Sequence, residues 1–413
     1  MKTSKILLTA TLAALGLSHF ASAQTAIYVS GAPATRKIWN LAIQDLLAAN
    51  TPGGLASLTE SWVGSSGTAG YAAANQTVIT GGQINSTPVT IYTDWSGSTG
   101  GNQSVAINPP ASNSALEVKF LNLSNITTPG SGQTLDSSNL QYPNINLSDT
   151  FQASVPFNGH VTITSPATNY VSLTEASPNS PAVTGFEFLT NNGAPSDLTN
   201  INANQAQYLF TQGPTPLALL TGSTADENIN LYAVGRDIAS GARYILLAET
   251  GIGIANSTSL VQYEPTVSGG VITNNNVQAP GGTINLITFN TGNGGYSSFS
   301  NVLTVLEATS NNTKGYVVSY VTDSDAATAV AGGARALSWN GVPYSAQAIE
   351  LGQYSYWSYL HVYYNSANIG STALAFANDL SSQLSTDTAT GAILSSNVQV
   401  TRYTDGGVIT PNY

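Results

Sequence analysis

Two rhythms of apolar residues alternate along this chain, the short runs of strands and the three-to-four spacing of helices. The run TAIYVSG (25–31) predicts a strand, APATR a small-residue turn, and KIWNLAIQDLLAAN a helix. In that helix Ile38, Leu41, Ile43, Leu46 and Leu47 form one apolar face, and TPGG stops it. TPVTIYTDW predicts a second strand, which runs into the Gly-rich turn SGSTGGNQS. From Asn102 to about Asn144 polar residues, Pro and Gly dominate around one strand pattern, ALEVKFLNL, which predicts an excursion over the surface.

Apolar alternation returns at NINLSDTFQ. VTGFEFLTNNGAPSDLTNINANQAQYLF predicts a strand, a loop and a short helix starting near Asn202, and ENINLYAVGRDIASGARYILLAETG repeats strand, polar turn and helix. Residues 265–295 are rich in Gly and Asn, and VITNNNVQAPGGTINLITF hints at a hairpin. SSFSNVLTVLEATSN predicts a helix, GYVVSYVTDSDAA a strand and turn, and ALAFANDLSSQLS a last helix. Before it, QYSYWSYLHVYYN carries Tyr354, Tyr356, Ser358, Leu360 and Val362 on one face and Trp357, Tyr359, His361 and Tyr363 on the other. That pattern is a strand buried on both sides, with a sugar-stacking platform as the alternative, and His361 reads as a core histidine. His160 sits in a polar loop with no acidic or nucleophilic neighbour in sequence.

Strand, small turn and helix in repeated order is α/β organisation, in which ligands collect at the carboxyl ends of strands. The chain exceeds one typical core, so two lobes are expected. Its first residues carry Lys2 and Lys5, an apolar stretch and Ala21-Ser22-Ala23, the pattern of a secretory signal peptide over residues 1–23 cleaved near Ala23/Gln24. Without those two lysines the net charge moves from −11 to about −13. So acidic a chain lacks the basic patch that nucleic acid or anionic lipid requires. No later segment reaches the roughly 20 apolar residues of a membrane span. The expectation is a periplasmic or secreted monomer with no direct membrane insertion. Cys is absent and only His160 and His361 follow the leader, so no metal site or other cofactor is expected. No Gly-x-Ser-x-Gly elbow occurs either, and the chain reads as a non-enzyme with no catalytic residues.

Three segments share one physical design: Gly31-Ala32-Pro33-Ala34-Thr35, Ser96-Gly97-Ser98-Thr99-Gly100-Gly101 and Arg236-Asp237-Ile238-Ala239-Ser240-Gly241. A helix N-terminus exposes unpaired N–H groups and about half a positive charge, and small residues let an anion approach it. Three converging ends would bind an oxyanion with only one or two cations. Taken singly, each is more simply a helix cap. Asp149 reads equally as a cap, Arg236 as a surface partner of Asp237 or Glu249, and Arg36 and Arg243 as solvated helix residues.

The set as a whole resembles a known family. AIYVSGAPATRKIW is similar to the opening of the bacterial periplasmic phosphate-binding proteins, and TIYTDWSGSTGG to their strand and Gly-Ser-Ser-Gly-Gly turn. INLSDTFQ resembles their apolar strand ending in Ser-Asp, VTGFEFLT… their lobe crossing, and VGRDIASGAR their Arg-x-x-x-Ser-Gly-Thr turn. TKGYVVSYV and the tract at 354–364 resemble their Gly-Tyr strand and the return strand. The likeness runs, with gaps, over most of residues 26–390. It implies a two-lobed type II periplasmic-binding-protein fold, α/β with mixed sheets flanked by helices and β-rich insertions. The first lobe would take 24–185 and 350–413, the second 186–349.

The resemblance implies hydroxyl and backbone donors from Thr35, Ser98 and Thr99. It implies Asp149 as acceptor of the proton on a monohydrogen oxyanion, which selects protonated phosphate over sulfate. Arg236 would supply the charge, with Ser240 and Gly241 donating from the second lobe and Ala34, Arg36 and Arg243 at the edge of the site. Departures from the family are Ala242 in place of Thr, Arg36 where an aromatic is frequent, and Ile238 where an acid is common. With Arg243 present as well, a larger phosphorylated anion becomes an alternative to free phosphate. The implied function is extracytoplasmic capture of phosphate or a related oxyanion for an ABC-type importer. The competing reading is a secreted surface or matrix protein that reuses the fold without transport.

Overall fold

A computed structural model describes residues 24–63, 70–107, 116–126, 139–155, 170–272, 295–310 and 315–412. The leader at 1–23, His160 and most of the 265–295 region therefore lie outside the described residues. Strand β1 (Thr25–Gly31) leads through a short turn into helix α1 (Arg36–Asn50). Then come β2 (Thr59–Val63), β3 (Gln76–Ile84), β4 (Thr87–Asp94), helix α2 (Ser98–Ala106) and β5 (Ile145–Ser148). The long β6 (Ala182–Thr190) is followed by α3 (Ala203–Gln212), β7 (Asn230–Ala233) and α4 (Gly241–Glu249). Next are α5 (Phe299–Glu307), β8 (Gly315–Thr322), α6 (Asp323–Ala331) and β9 (Arg335–Trp339). β10 (Trp357–Tyr364) and α7 (Ser371–Leu384) precede a C-terminal segment of short elements.

The fold is the expected α/β class, a large mixed sheet flanked by helices. Its path runs β7-β8-β6-β10-β5-β1-β4-β3-β2. β1 pairs parallel with β4 and β5, and β7 parallel with β8. Two antiparallel strands join the halves: Ala182–Gly185 of β6 pairs with Trp357–Leu360 of β10. Beyond that overlap β6 continues against β8, while β10 continues against β5. Each strand thus serves one lobe at one end and the other at its far end. Both are buried along nearly their whole length, as the two-faced pattern of 357–364 requires.

Two cores result. The first packs α1 and α7 on the β1 side, through Trp39, Ile43, Leu47, Phe376 and Leu380. Each such side chain contributes roughly 1.5–3 kcal/mol by burial. Leu41, expected on the buried face of α1, is half-buried. In the second core Phe188 stacks on Trp339 at 5.3 Å and on Tyr356 at 5.1 Å, centroid to centroid. Asn202 starts α3 with a reciprocal cap: its side chain accepts from Gln205 N, and the Gln205 side chain accepts from Asn202 N.

Some expectations are corrected. Asn102–Ala106 is not part of a surface excursion; it completes α2, with Asn102 fully buried. The pattern was obscured because α2 is built from Ser, Thr, Gly and Asn. Strands β2 and β3, unmarked by any clean alternation, extend the first lobe's sheet. The hairpin expected at 271–289 lies almost wholly outside the described residues; just before it a short antiparallel pair joins Val267–Ser268 to Val271–Ile272.

Candidate functional site

All three small-residue segments fold as strand, turn and helix, and the lobes bring two of the helix ends face to face. In the first lobe the turn after β1 is stitched to its neighbours: Ala32 N donates to Leu147 O at 2.9 Å, and Gly97 N to Gly31 O at 2.9 Å. Asn146 Nδ2 donates to Ser98 O at 3.0 Å and so ties the start of α2 to β5. Ser98 Oγ then donates to Asp149 Oδ1, and Asp149 N to Ser98 Oγ at 3.1 Å. Asp149 is therefore not merely a cap for the element after it; it is joined to α2.

From the second lobe, the turn 239–241 enters this place. The Ala239 carbonyl accepts from Thr99 N at 3.2 Å and from Gly100 N at 3.4 Å, across the lobe boundary. This supplies the exposed N–H groups of α2 with an acceptor. Gly97, at φ 122°, permits that approach, since a β carbon there would lie 2.3 Å from Ala239 O. Opposite, the Asp149 carboxylate lies against the first residue of α4: a β carbon on Gly241 would be 1.8 Å from Asp149 Oδ1. Both helix dipoles thus meet an acceptor of the chain itself. Ser240, at the cap of α4, is buried and makes no side-chain cap bond.

Arg236 is not a surface ion-pair partner. It is 1% exposed, with Nε donating to Tyr296 O and Nη2 to Ser297 O, each at 2.9 Å. Its guanidinium lies 4.4 Å from the Phe299 ring centroid. Among the described residues no carboxylate is within ion-pair distance of it, and its buried Nη1 has no partner. Of the two partners suggested for it, Asp237 stays beyond ion-pair distance, though its charge acts on the guanidinium, and Glu249 pairs with Arg402 instead. The hydroxyls of Thr35 and Thr99 are likewise buried without partners.

Arg243 is not a solvated helix residue either. It is fully buried, and its Nη1 donates to Arg236 O at 2.8 Å, so it shapes the turn that carries Arg236. Arg36 is half-buried, with Nε on Ala73 O at 3.0 Å and Nη1 on Pro33 O at 2.6 Å. Ala34 accepts from Thr322 Oγ1 at 3.4 Å, which fastens the first lobe's turn to the end of β8.

That contact reveals residues the sequence reading passed over. Thr322 and Asp325 form a further strand-to-helix junction at the lobe boundary, with Thr322 Oγ1 3.2 Å from Asp325 Oδ2, so that its single proton is shared between that oxygen and Ala34 O. The Thr-Asp-Ser-Asp run was a visible N-terminal signal, but nothing local placed it beside Ala34. His361 is buried in β10, with Nδ1 2.9 Å from Glu175 Oε1 and 3.3 Å from Ser180 Oγ, while its Nε2 has no partner among the described residues.

Burial raises several carboxyls. Asp149 is pushed to about 6 by burial, against the opposing bond from Ser98 and the Arg236 charge. Glu187 and Glu249 are each pushed to about 7, again chiefly by burial. Native carboxyls with raised pKa bind protons that the unfolded chain releases. Their stabilising contribution is complete below about pH 4 and is lost as pH rises through 6–7. Thermal midpoints are therefore expected to fall from mild acid to mild base, with the value at pH 5 at least roughly 5 °C above that at pH 8. Equal midpoints would mean that these side chains are solvated.

Among the described residues no helix is long and apolar enough to cross a membrane. No family model and no curated protein matches the chain. Among solved structures, one similar chain is assigned as the substrate-binding protein of a phosphate ABC transporter, with bound phosphate, from Clostridium perfringens. It is 11% identical at a TM-score of 0.47, over 90% of this chain and 99% of the other. An ABC-type phosphate transport receptor from Vibrio cholerae is 11% identical at TM-score 0.44, over 89% and 99%. A phosphate-binding protein from Stenotrophomonas maltophilia is 13% identical at TM-score 0.43, over 91% and 92%. Likenesses this remote do not carry function, which has to rest on the chain's own side chains.

Proposed function

We propose that this chain is an extracytoplasmic solute-binding protein that captures phosphate or a related oxyanion between its lobes and hands it to an ABC-type importer. The observation that carries this reading is Arg236, a buried guanidinium with no carboxylate at ion-pair distance and an unpartnered Nη1 among the described residues. Asp237, Asp149 and Asp325 act on this charge only from beyond ion-pair distance; burying a charge without a direct partner costs several kcal/mol, and a bound anion would reduce that cost. Thr35 and Thr99 add buried hydroxyls without partners among the described residues.

In this reading the ligand displaces the Ala239 carbonyl from the start of α2 when the lobes part, and the N–H groups of Thr99 and Gly100 turn to the anion. Ser240 and the Gly241 backbone serve it from α4. Ser98 holds Asp149 by one carboxylate oxygen, and the ionised carboxylate accepts the proton of a monohydrogen oxyanion while repelling a fully ionised one. Ala34, Arg36 and Arg243 act from the edge, Arg243 by shaping the turn of Arg236.

A second reading has its own support. Because Ala239 and Asp149 already occupy the two helix ends, the lobes can be held together with no ligand, as a secreted structural protein would need. Isothermal titration decides between them, using protein unfolded, dialysed and refolded to remove carried-over anions. Phosphate is expected to bind at pH 7.5 and sulfate to bind far less. Arg236→Met is expected to weaken phosphate binding by roughly 10- to 100-fold, the worth of one charge-assisted bond. Absence of heat with phosphate, sulfate and phosphomonoesters at millimolar concentration favours the structural reading.

A further inference from the structure

Beside the candidate anion site lies a cleft walled by both lobes, with a volume of about 550 Å³. One wall is the start of α1, with Ala34, Arg36 and Lys37; the other is α5 and the first turns of α6. Ala34 precedes Thr35, the residue with the buried unpartnered hydroxyl, so the cleft begins one residue from the candidate donors. Asp325 makes a second link. It lines the cleft, and the charges of both Arg236 and Arg36 act on its carboxyl, opposing the upward push of burial.

From this geometry we infer that the ligand is a phosphate monoester of a sugar or similar polyol, with its phosphoryl group at Arg236 and Thr35 and its hydroxylated part in the cleft. The inference rests on the anion-capture reading and specifies its ligand. Size is the first reason. A bare phosphate displaces the volume of about two waters, roughly 60 Å³, whereas clefts of several hundred Å³ suit a ligand with an organic body. Chemistry is the second. The wall across from Arg36 carries Thr304, Glu307 and Asp325. Arg36 and Lys37 balance the two carboxylates in this lining, so it carries no net charge, and its carboxylates and hydroxyls suit a neutral body rich in O–H. Arg36 is the third. With Nε and Nη1 bound to backbone carbonyls, its guanidinium is held in place in the cleft lining.

The test uses ligand-stripped protein titrated with inorganic phosphate, glucose 6-phosphate, glycerol 3-phosphate and glucose. Thr304→Trp fills the cleft from an exposed helix position, where folding should tolerate it. The expected result is that at least one ester binds ten-fold or more tightly than phosphate, and that T304W removes this preference while phosphate binding stays within about two-fold. Phosphate binding as tightly as every ester, or an ester preference untouched by T304W, overturns the inference and leaves anion capture standing. No binding of phosphate or of either ester overturns both.

Discussion

Replacing Arg402 by alanine is expected to cost about 3–5 kcal/mol of folding stability at pH 8, the usual consequence of removing one partner of a buried ion pair. Arg402 is 2% exposed and pairs with Glu249 at the end of α4. It also donates to Ser355 O and lies 4.0 Å from the Trp357 ring centroid at the lobe crossing. Three residues on, Asp405 Oδ2 accepts from Phe151 N at 3.0 Å and from Ser154 Oγ, in the segment that follows Asp149. Gly406 lies against Ala248, where a β carbon would come 2.5 Å from the Ala248 carbonyl carbon. The C-terminal segment is thus a strap from α4 to the residues after Asp149. Without Arg402 the Glu249 carboxyl would remain buried, and it already titrates near 7, so in acid it would take up a proton and lower the penalty. Denaturant unfolding should therefore show a larger loss at pH 8 than at pH 5.5. A loss under about 1 kcal/mol at pH 8 would show the pair to be exposed in solution.

The second large effect concerns Gly241. Its backbone needs no glycine for conformational reasons, being the first residue of α4 with a negative-φ helical geometry. The constraint is across the interface: a β carbon would lie 1.8 Å from Asp149 Oδ1 and 2.9 Å from both Ser98 Cβ and Thr150 Cγ2. Asp149 is held by Ser98 and cannot swing away cheaply. Gly241→Ala is expected to cost roughly 2–3 kcal/mol, as overpacking does, or to part the lobes. Small-angle scattering with a thermal melt distinguishes these outcomes. Gly370→Ala, where a β carbon meets nothing within 4 Å, is the control and should leave both measurements unchanged. Identical behaviour of G241A and G370A would mean that the lobes do not meet at Asp149 in solution.

How far the sequence reached can be judged from particular residues. The α3 start was visible because Asn202 and Gln205 satisfy each other within one turn of helix. The strand at 357–364 was visible because apolar side chains on both faces leave no solvent side. By contrast, α2 was cut short, because its Ser-, Thr- and Gly-rich turns look like loop until the contacts of Asn102 and Asn146 are known. Arg243 looked solvated because an arginine at a helix start usually is. Only the Arg236 carbonyl, placed by the turn seven residues earlier, gives it a buried partner.

By itself the sequence determined the α/β class, the strongly periodic strands and helices and the three strand-to-helix turns, since periodicity, caps and turn residues act over a few residues. Tertiary structure alone decided what those turns face. Ala239 reaches Thr99 and Gly100, Asp149 reaches Ser98 and Gly241, and Asp405 reaches Ser154 across 251 residues of chain. Such contacts depend on how two cores dock through strands β6 and β10. No local pattern encodes whether a helix end is met by solvent, by a ligand or by the chain's own carbonyl.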